Sequence, residues 1–291
     1  MRTFDSVAAL RAFVRAARQD GKTIGFVPTM GALHEGHVTL MKRAKSDCDI
    51  VVVSIFVNPT QFGPSEDFTR YPRDLSADST LAQRAGVDAL FTPSVETIYP
   101  PGDRTVVEVG ELGIRWEGER RPGHFRGVAT VCAKLFQIVR PDRAYFGQKD
   151  YQQLKIVERL SADLFFPHVI VPVPTVREKD GLALSSRNAY LSPEERRGAR
   201  VLSRALNAAR DLFDSGERSG SALESEMARV FAEDPRAEVD YAVVVDADTL
   251  EPLESIHEKA VALVAAKVGA TRLIDNILLG MDFDAKRQTG R

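Results

Sequence analysis

The chain has 291 residues, and 39 Lys and Arg against 41 Asp and Glu leave a formal net charge of −2. That balance excludes a broad cationic surface for nucleic acid. Two cysteines, Cys48 and Cys132, exclude a disulfide scaffold and a four-cysteine zinc site. With 44% hydrophobic and 27% charged residues, no secretory leader and no bilayer-long apolar run, the chain reads as a soluble, cytoplasmic globular protein of one large or two ordinary domains.

Asp5 or Ser6 is expected to cap a helix that buries Val7, Leu10, Val14 and Ala17 and stops at Gly21. Residues 23–27 read as a short apolar strand closed by Pro28, and residues 37–45 as a helix. Residues 50–57 form a nearly continuous β-branched run, which suits a strand buried on both faces. A helix over 77–85, a strand over 88–91, a helix over 128–139, a strand over 143–146, a helix over 152–164 and a strand over 168–173 follow. This alternation predicts a doubly wound parallel α/β sheet. Residues 100–125, rich in Gly and Arg, fit it less well and read as an insertion near a site.

A boundary is expected within residues 174–190. Beyond it, Ser192 and Pro193 start a helix to Asp214, residues 215–220 break it, and a second helix runs to Ala232. Strands are expected over 241–245, 260–268 and 272–279. Helices followed by strands suggest a smaller C-terminal α+β domain, with domains at 1–175 and 176–291. The tail, 284–291, is expected to fray.

Four polar clusters each follow an expected strand. The first is PTMGALHEGH, residues 28–37, where a Gly-containing turn enters a helix. Amides at a helix start suit an anion, and His34 and His37 add directional donors for charge developing on phosphorus. The bland reading is a capping imidazole. The second is FGQKDYQQ, residues 146–153, with Lys149 as a point charge, Asp150 as a cap and Gln153 one turn in; its bland reading is a cap beside a solvated lysine. The third is GLALSSRN, residues 181–188, a phosphate clamp or an ordinary surface turn. The fourth is NPTQFG, residues 58–63, with Gln61 at the carboxyl edge of the sheet. Nearby Asp78 is either a magnesium ligand with substrate phosphates or a helix residue facing water.

These stretches, together with YPR at 71–73, RPGHFRGV at 121–128, KLFQIVRPD at 134–142, PTVREKDGLALSSRN at 174–188 and TRLIDN at 271–276, resemble the pantoate–β-alanine ligase family. The likeness runs from about residue 25 to about 278. It implies a Rossmann-like first domain similar to nucleotidyltransferases with the HxGH motif. It also implies ATP and Mg2+, the substrates pantoate and β-alanine, a pantoyl adenylate intermediate, and a cytoplasmic homodimer.

Carried over residue by residue, Met30, Gly31, Ala32, Leu33, His34, Glu35, Gly36 and His37 would line the ATP site. His34, His37 and Lys149 would be catalytic, with His37 the general acid. Gly147, Gln148, Lys149 and Asp150 would hold the nucleotide, although Gln148 stands where some relatives have Glu. Val176 would touch adenine. Leu184, Ser185, Ser186 and Arg187 would belong to a lid loop, Gln61 and Gln153 would bind pantoate, Gln61 would also meet β-alanine, and Asp78 would hold Mg2+. Two alternatives remain open at this point: another adenylyltransferase of the same superfamily, and a non-catalytic nucleotide- or RNA-binding module.

Overall fold

The computed structural model describes residues 1–64 and 66–280; the expected frayed tail lies outside them. The chain divides into two compact units, residues 1–176 and 177–291. Among the described residues no helix is long and apolar enough to cross a membrane.

The first unit is a six-stranded, all-parallel sheet. Its strands are β1 (Arg2–Phe4), β2 (Ile24–Thr29), β3 (Ile50–Ile55), β4 (Ala89–Phe91), β5 (Arg143–Gly147) and β6 (Val169–Val173), in the order β1-β4-β3-β2-β5-β6. Val51, Val52 and Val53 are fully buried, as a strand covered on both faces requires. One face carries α1 (Val7–Gln19), α6 (His124–Val139) and α7 (Tyr151–Asp163), whose Leu10, Phe136 and Leu154 enter one core. The other carries α2 (Glu35–Asp47) and α3 (Leu75–Arg84) through Met41, Ala44 and Ala82. One-turn helices α4 (Val95–Ile98) and α5 (Glu117–Arg120) lie in the connection before α6. Phe136 meets Phe26 and Phe146 edge-on at 6.4 and 6.2 Å. Truncating that fully enclosed ring to Ala would cost about 3–5 kcal/mol.

The second unit packs α8 (Pro193–Asp214) and α9 (Gly220–Ala232) on an antiparallel sheet of β7 (Ala237–Asp246), β8 (Ala260–Val268) and β9 (Thr271–Leu279). Ser192 and Glu195 close a reciprocal cap at the start of α8, with Pro193 at its first position.

Several element boundaries differ from expectation: β2 runs through Pro28 to Thr29, β3 ends at Ile55 and α3 starts at Leu75. The edge strand β1 was missed, because three residues are too few to show a period. α2 starts at Glu35 rather than 37, since His34 takes the cap position usually held by Ser or Asp. α6 starts at His124, not 128, and β7 is longer than residues 241–245, with a register shift between Val239 and Tyr241.

Candidate active site

In an open parallel sheet, ligands sit beyond the carboxyl ends where the strand order reverses. Here that point lies between β2 and β5, and the loops after β2, β3 and β5 carry three of the four polar clusters. After β2 the chain turns sharply: Gly31 and Ala32 both have positive φ, +85° and +51°. A Cβ on Gly31 would come within 2.8 Å of Asp78 Oδ2, so only glycine fits. Asp78 explains the turn. Its Oδ2 accepts the Ala32 N–H at 3.0 Å and its Oδ1 the Leu33 N–H at 2.7 Å, while Thr29 Oγ1 accepts the Gly31 N–H at 3.2 Å. Asp78 is only 5% exposed. The water-facing alternative for Asp78 is therefore wrong, and both carboxylate oxygens are already engaged.

The two histidines cap α2 reciprocally. The Gly36 N–H donates to His34 Nδ1 at 3.1 Å, and the His34 N–H donates to His37 Nδ1 at 3.3 Å. Because both Nδ1 atoms accept, the proton of each neutral ring sits on Nε2. The rings lie 4.2 Å apart. Burial, then the neighbouring His34, lowers the His37 pKa to about 3; Lys149 adds to the lowering, and Asp150 opposes it. Those last two effects bring the β5 loop within electrostatic reach of α2. The capping reading and the ligand reading thus coexist: the Nδ1 atoms cap, and Nε2–H is a donor.

After β3, Gln61 sits in a dense polar network. Asn58 Nδ2 donates to Gln61 Oε1 and to the Gly127 carbonyl, both at 3.1 Å, while Gln61 Nε2 donates to Met30 Sδ at 3.0 Å. This last contact joins the loops after β2 and β3. His124 Nδ1 donates to the Gln61 carbonyl at 2.8 Å, and Arg121 Nη1 lies 3.1 Å from His124 Nε2. Arg121 also grips Glu66 at 2.6 and 2.9 Å. Burial first, then the Arg121 charge, lowers the His124 pKa to about 4. Burial works against ionisation of Glu66, but the hydrogen bonds and charge of Arg121 outweigh it and lower its pKa. Gly127 lets α6 reach this loop, since a Cβ there would stand 2.4 Å from the Thr60 carbonyl. Sequence reasoning passed over Asn58, Glu66, Arg121 and His124 as site residues. The signal was that Asn58, Arg121 and His124 lie in NPTQFG and RPGHFRGV, two of the stretches that carry the family likeness.

After β5, Lys149 Nζ lies 3.5 Å from Asp150 Oδ1. Asp150 holds the cap position of α7 but makes no side-chain capping bond, so it is not simply a cap. Gln152, not singled out from sequence, is buried. It donates to the Leu112 and Arg115 carbonyls at 2.8 and 2.9 Å and accepts the Glu117 N–H at 3.1 Å, which fastens the insertion to α7. The Gln153 amide makes no hydrogen bond among the described residues. Val176 is half-buried three residues beyond β6.

In the second unit, Ser185 Oγ accepts the Arg187 N–H at 3.2 Å, and Ser186 opens a short 3₁₀ turn, Ser186–Tyr190. This loop is anchored at both ends. Arg177 forms a bidentate pair with buried Asp275 at 2.6 and 2.9 Å, and Asn188 Nδ2 donates to Glu178 and to the Ala183 carbonyl, each at 3.0 Å.

A doubly wound parallel sheet with two imidazoles and a lysine on the loops at its switch point has the layout of a nucleotide-binding α/β enzyme. A family model described as pantoate-beta-alanine ligase matches residues 2–278. Pantothenate synthetase of Pelotomaculum thermopropionicum is 55% identical over 95% of this chain and 98% of its own, and that of Geobacter sulfurreducens 54% over 96% and 99%. The crystal structure of pantothenate synthetase from Thermus thermophilus superposes with a TM-score of 0.91 at 52% identity, covering 95% of this chain and 99% of its own. A pantoate-beta-alanine ligase from Francisella tularensis, complexed with beta-gamma ATP and beta-alanine, gives 0.78 at 36% identity, covering 96% and 97%. The chain belongs to the pantoate–beta-alanine ligase family.

Proposed function

We propose that this chain condenses (R)-pantoate with β-alanine at the expense of ATP, and that it does so through a pantoyl adenylate. A pantoate carboxylate oxygen attacks the α-phosphorus of ATP, and the bond to the β-phosphate oxygen breaks, so pyrophosphate leaves with that electron pair. The β-alanine amine then attacks the acyl carbon and loses a proton, and AMP leaves with the former carboxylate oxygen. No side chain acts as a nucleophile; the protein's work is to position the reactants and stabilise charge.

The observation that carries this reading is the pairing of two unlike loops by the Gln61–Met30 contact. One, residues 30–37, holds the amides of Gly31, Ala32, Leu33, His34 and Gly36 within the loop and presents imidazole Nε2–H donors to phosphates. The other offers neutral amides for a small hydroxy acid. ATP lies against residues 30–37 and Gly147, Gln148, Lys149 and Asp150, with Val176 toward adenine. Gln61 and Gln153 bind pantoate, and Gln61 faces the incoming β-alanine. A neutral His37 donates Nε2–H in the resting site. Its role as general acid follows from the phosphates, whose negative charge raises its pKa when they bind. Leu184, Ser185, Ser186 and Arg187 are assigned to the nucleotide, as a lid, by family likeness alone. The same likeness is the support for a cytoplasmic homodimer.

Magnesium enters with ATP, as its phosphate complex. Each Asp78 oxygen accepts one backbone amide and keeps a second lone pair, so Asp78 shapes the phosphate loop, and its assignment to magnesium rests on family likeness. Among the described residues, no three His, Cys, Asp or Glu side chains gather to hold a metal ion without the phosphates.

Pantoate labelled with 18O in its carboxylate tests the route. One labelled oxygen is expected in the AMP released. AMP without label, alongside normal pantothenate formation, would overturn the adenylate.

A further inference from the structure

A cavity of about 390 Å³ lies on the first unit, lined by residues of α1 and by the carboxyl end of α6. It opens beside residues 18–19 and 138–140, which lead into the amino ends of β2 and β5. That is the edge of the sheet opposite the loops described above. α6 links the two places: its first residue, His124, holds Gln61, and its last, Val139, lines the cavity. Sixteen helical residues at about 1.5 Å each separate them by about 24 Å. A molecule in this cavity cannot touch the reacting atoms.

The cavity's floor is apolar: Val14, Ile138 and Val139 are buried beneath it. Its walls carry four guanidinium groups, Arg11, Arg15, Arg18 and Arg140, and no acidic side chain. α1 has no acidic residue at all, and Arg11, Arg15 and Arg18 share one face at spacings of four and three. Like charges so placed repel one another and weaken a helix. In a chain of net charge −2 this concentration is local, not a property of the whole surface.

Two of the four groups are tied down. Arg18 donates to the Arg140 carbonyl at 2.6 Å and lies 3.1 Å from Asp142, while Arg11 donates to the Gln137 carbonyl at 3.2 Å. The side chains of Arg15 and Arg140 make no hydrogen bond or ion pair among the described residues. Arg140 also ends α6 in the left-handed conformation, at φ +50°. Glycine or asparagine is the usual residue there, and an arginine is strained by comparison. The strain places a guanidinium beside an already cationic cavity.

We propose that this cavity binds a small organic phosphate carrying at least two negative charges. Its phosphate oxygens take the Arg15 and Arg140 forks, a geometry guanidinium matches better than ammonium. Its organic part covers Val14, Ile138 and Val139. The four arginines are solvent-exposed, and a concave wall of one sign of charge focuses its field on an anion.

Calorimetry with ADP at physiological salt tests this. The unaltered protein is expected to bind two ADP per chain, one of them at the catalytic edge. The variant Arg15→Glu/Arg140→Gly is expected to bind one, with turnover unchanged and no loss of thermal stability from the glycine. One ADP per chain in the unaltered protein, or two in the variant, overturns the proposal. Inorganic pyrophosphate lacks the part that covers the floor and should bind this second site about tenfold more weakly than ADP. Equal binding overturns the assignment to an organic phosphate.

Discussion

The loop after β2 and the loop after β3 meet at one hydrogen bond yet are built on opposite plans. The first shapes its backbone with a single buried carboxylate, Asp78, and has imidazoles whose protons sit on Nε2. The second uses up its polar atoms internally, in the chain Glu66–Arg121–His124–Gln61–Asn58. The difference teaches which loop can adapt. Phosphate recognition needs donors pointing outward and tolerates any anion of that shape. Recognition of a small hydroxy acid needs an amide held in one orientation, and a fixed network provides that at the expense of adaptability.

Breaking the first loop at its chemistry is expected to cost most. His37→Ala removes a donor to developing charge and should lower kcat by about 10²–10³-fold, with both substrates still bound. Steady-state kinetics with each substrate varied checks this; an unchanged kcat removes His37 from the reaction. Breaking the same loop at its scaffold comes next. Asp78→Ala leaves two buried amides without an acceptor, which should cost about 2 kcal/mol or more in urea denaturation and raise KM for ATP. If ATP affinity holds while activity follows magnesium concentration more steeply, Asp78 is a metal ligand after all.

The second loop is broken from a distance. His124→Ala unhooks the Gln61 carbonyl and should raise KM for pantoate about tenfold, with KM for ATP nearly unchanged. A parallel rise in both would show that the two loops do not separate. The last effect is on the pH dependence of stability. The pKa values of His37, His124 and His168 are lowered by burial to about 3, 4 and 4, against about 6.5 in an unfolded chain. Between pH 4 and 6.5 the unfolded state therefore binds more protons, so stability is complete above about 6.5 and falls as pH drops through this window. Urea midpoints at pH 7 and 4.5 measure it, and His124→Gln should flatten the slope.

The doubly wound sheet was legible because short apolar strands, β-branched in β3 and β6, alternate with amphipathic helices; the edge strand β1 was not. The loops after β2, β3 and β5 were legible as lying at the carboxyl edge of the sheet because each follows an apolar strand. What lay hidden was long-range. Nothing local tells that Asp78 reaches back 46 positions to Ala32, or that His124 reaches 63 positions to Gln61. Gln152 and Gln153 are alike in sequence, and only the helix phase separates the one that fastens the insertion from the one whose amide stays unbonded. His34 illustrates a different limit: its cap falls on Nδ1 and its proposed phosphate contact on Nε2, a distinction sequence does not carry.

In the proposed reaction the phosphate and hydroxy-acid loops act together on ATP before any amine arrives. Exchange of labelled pyrophosphate into ATP, measured without β-alanine, tests it most directly. Exchange is expected to be absent without pantoate and to saturate as pantoate is added. Exchange without pantoate, or none until β-alanine is present, would contradict it.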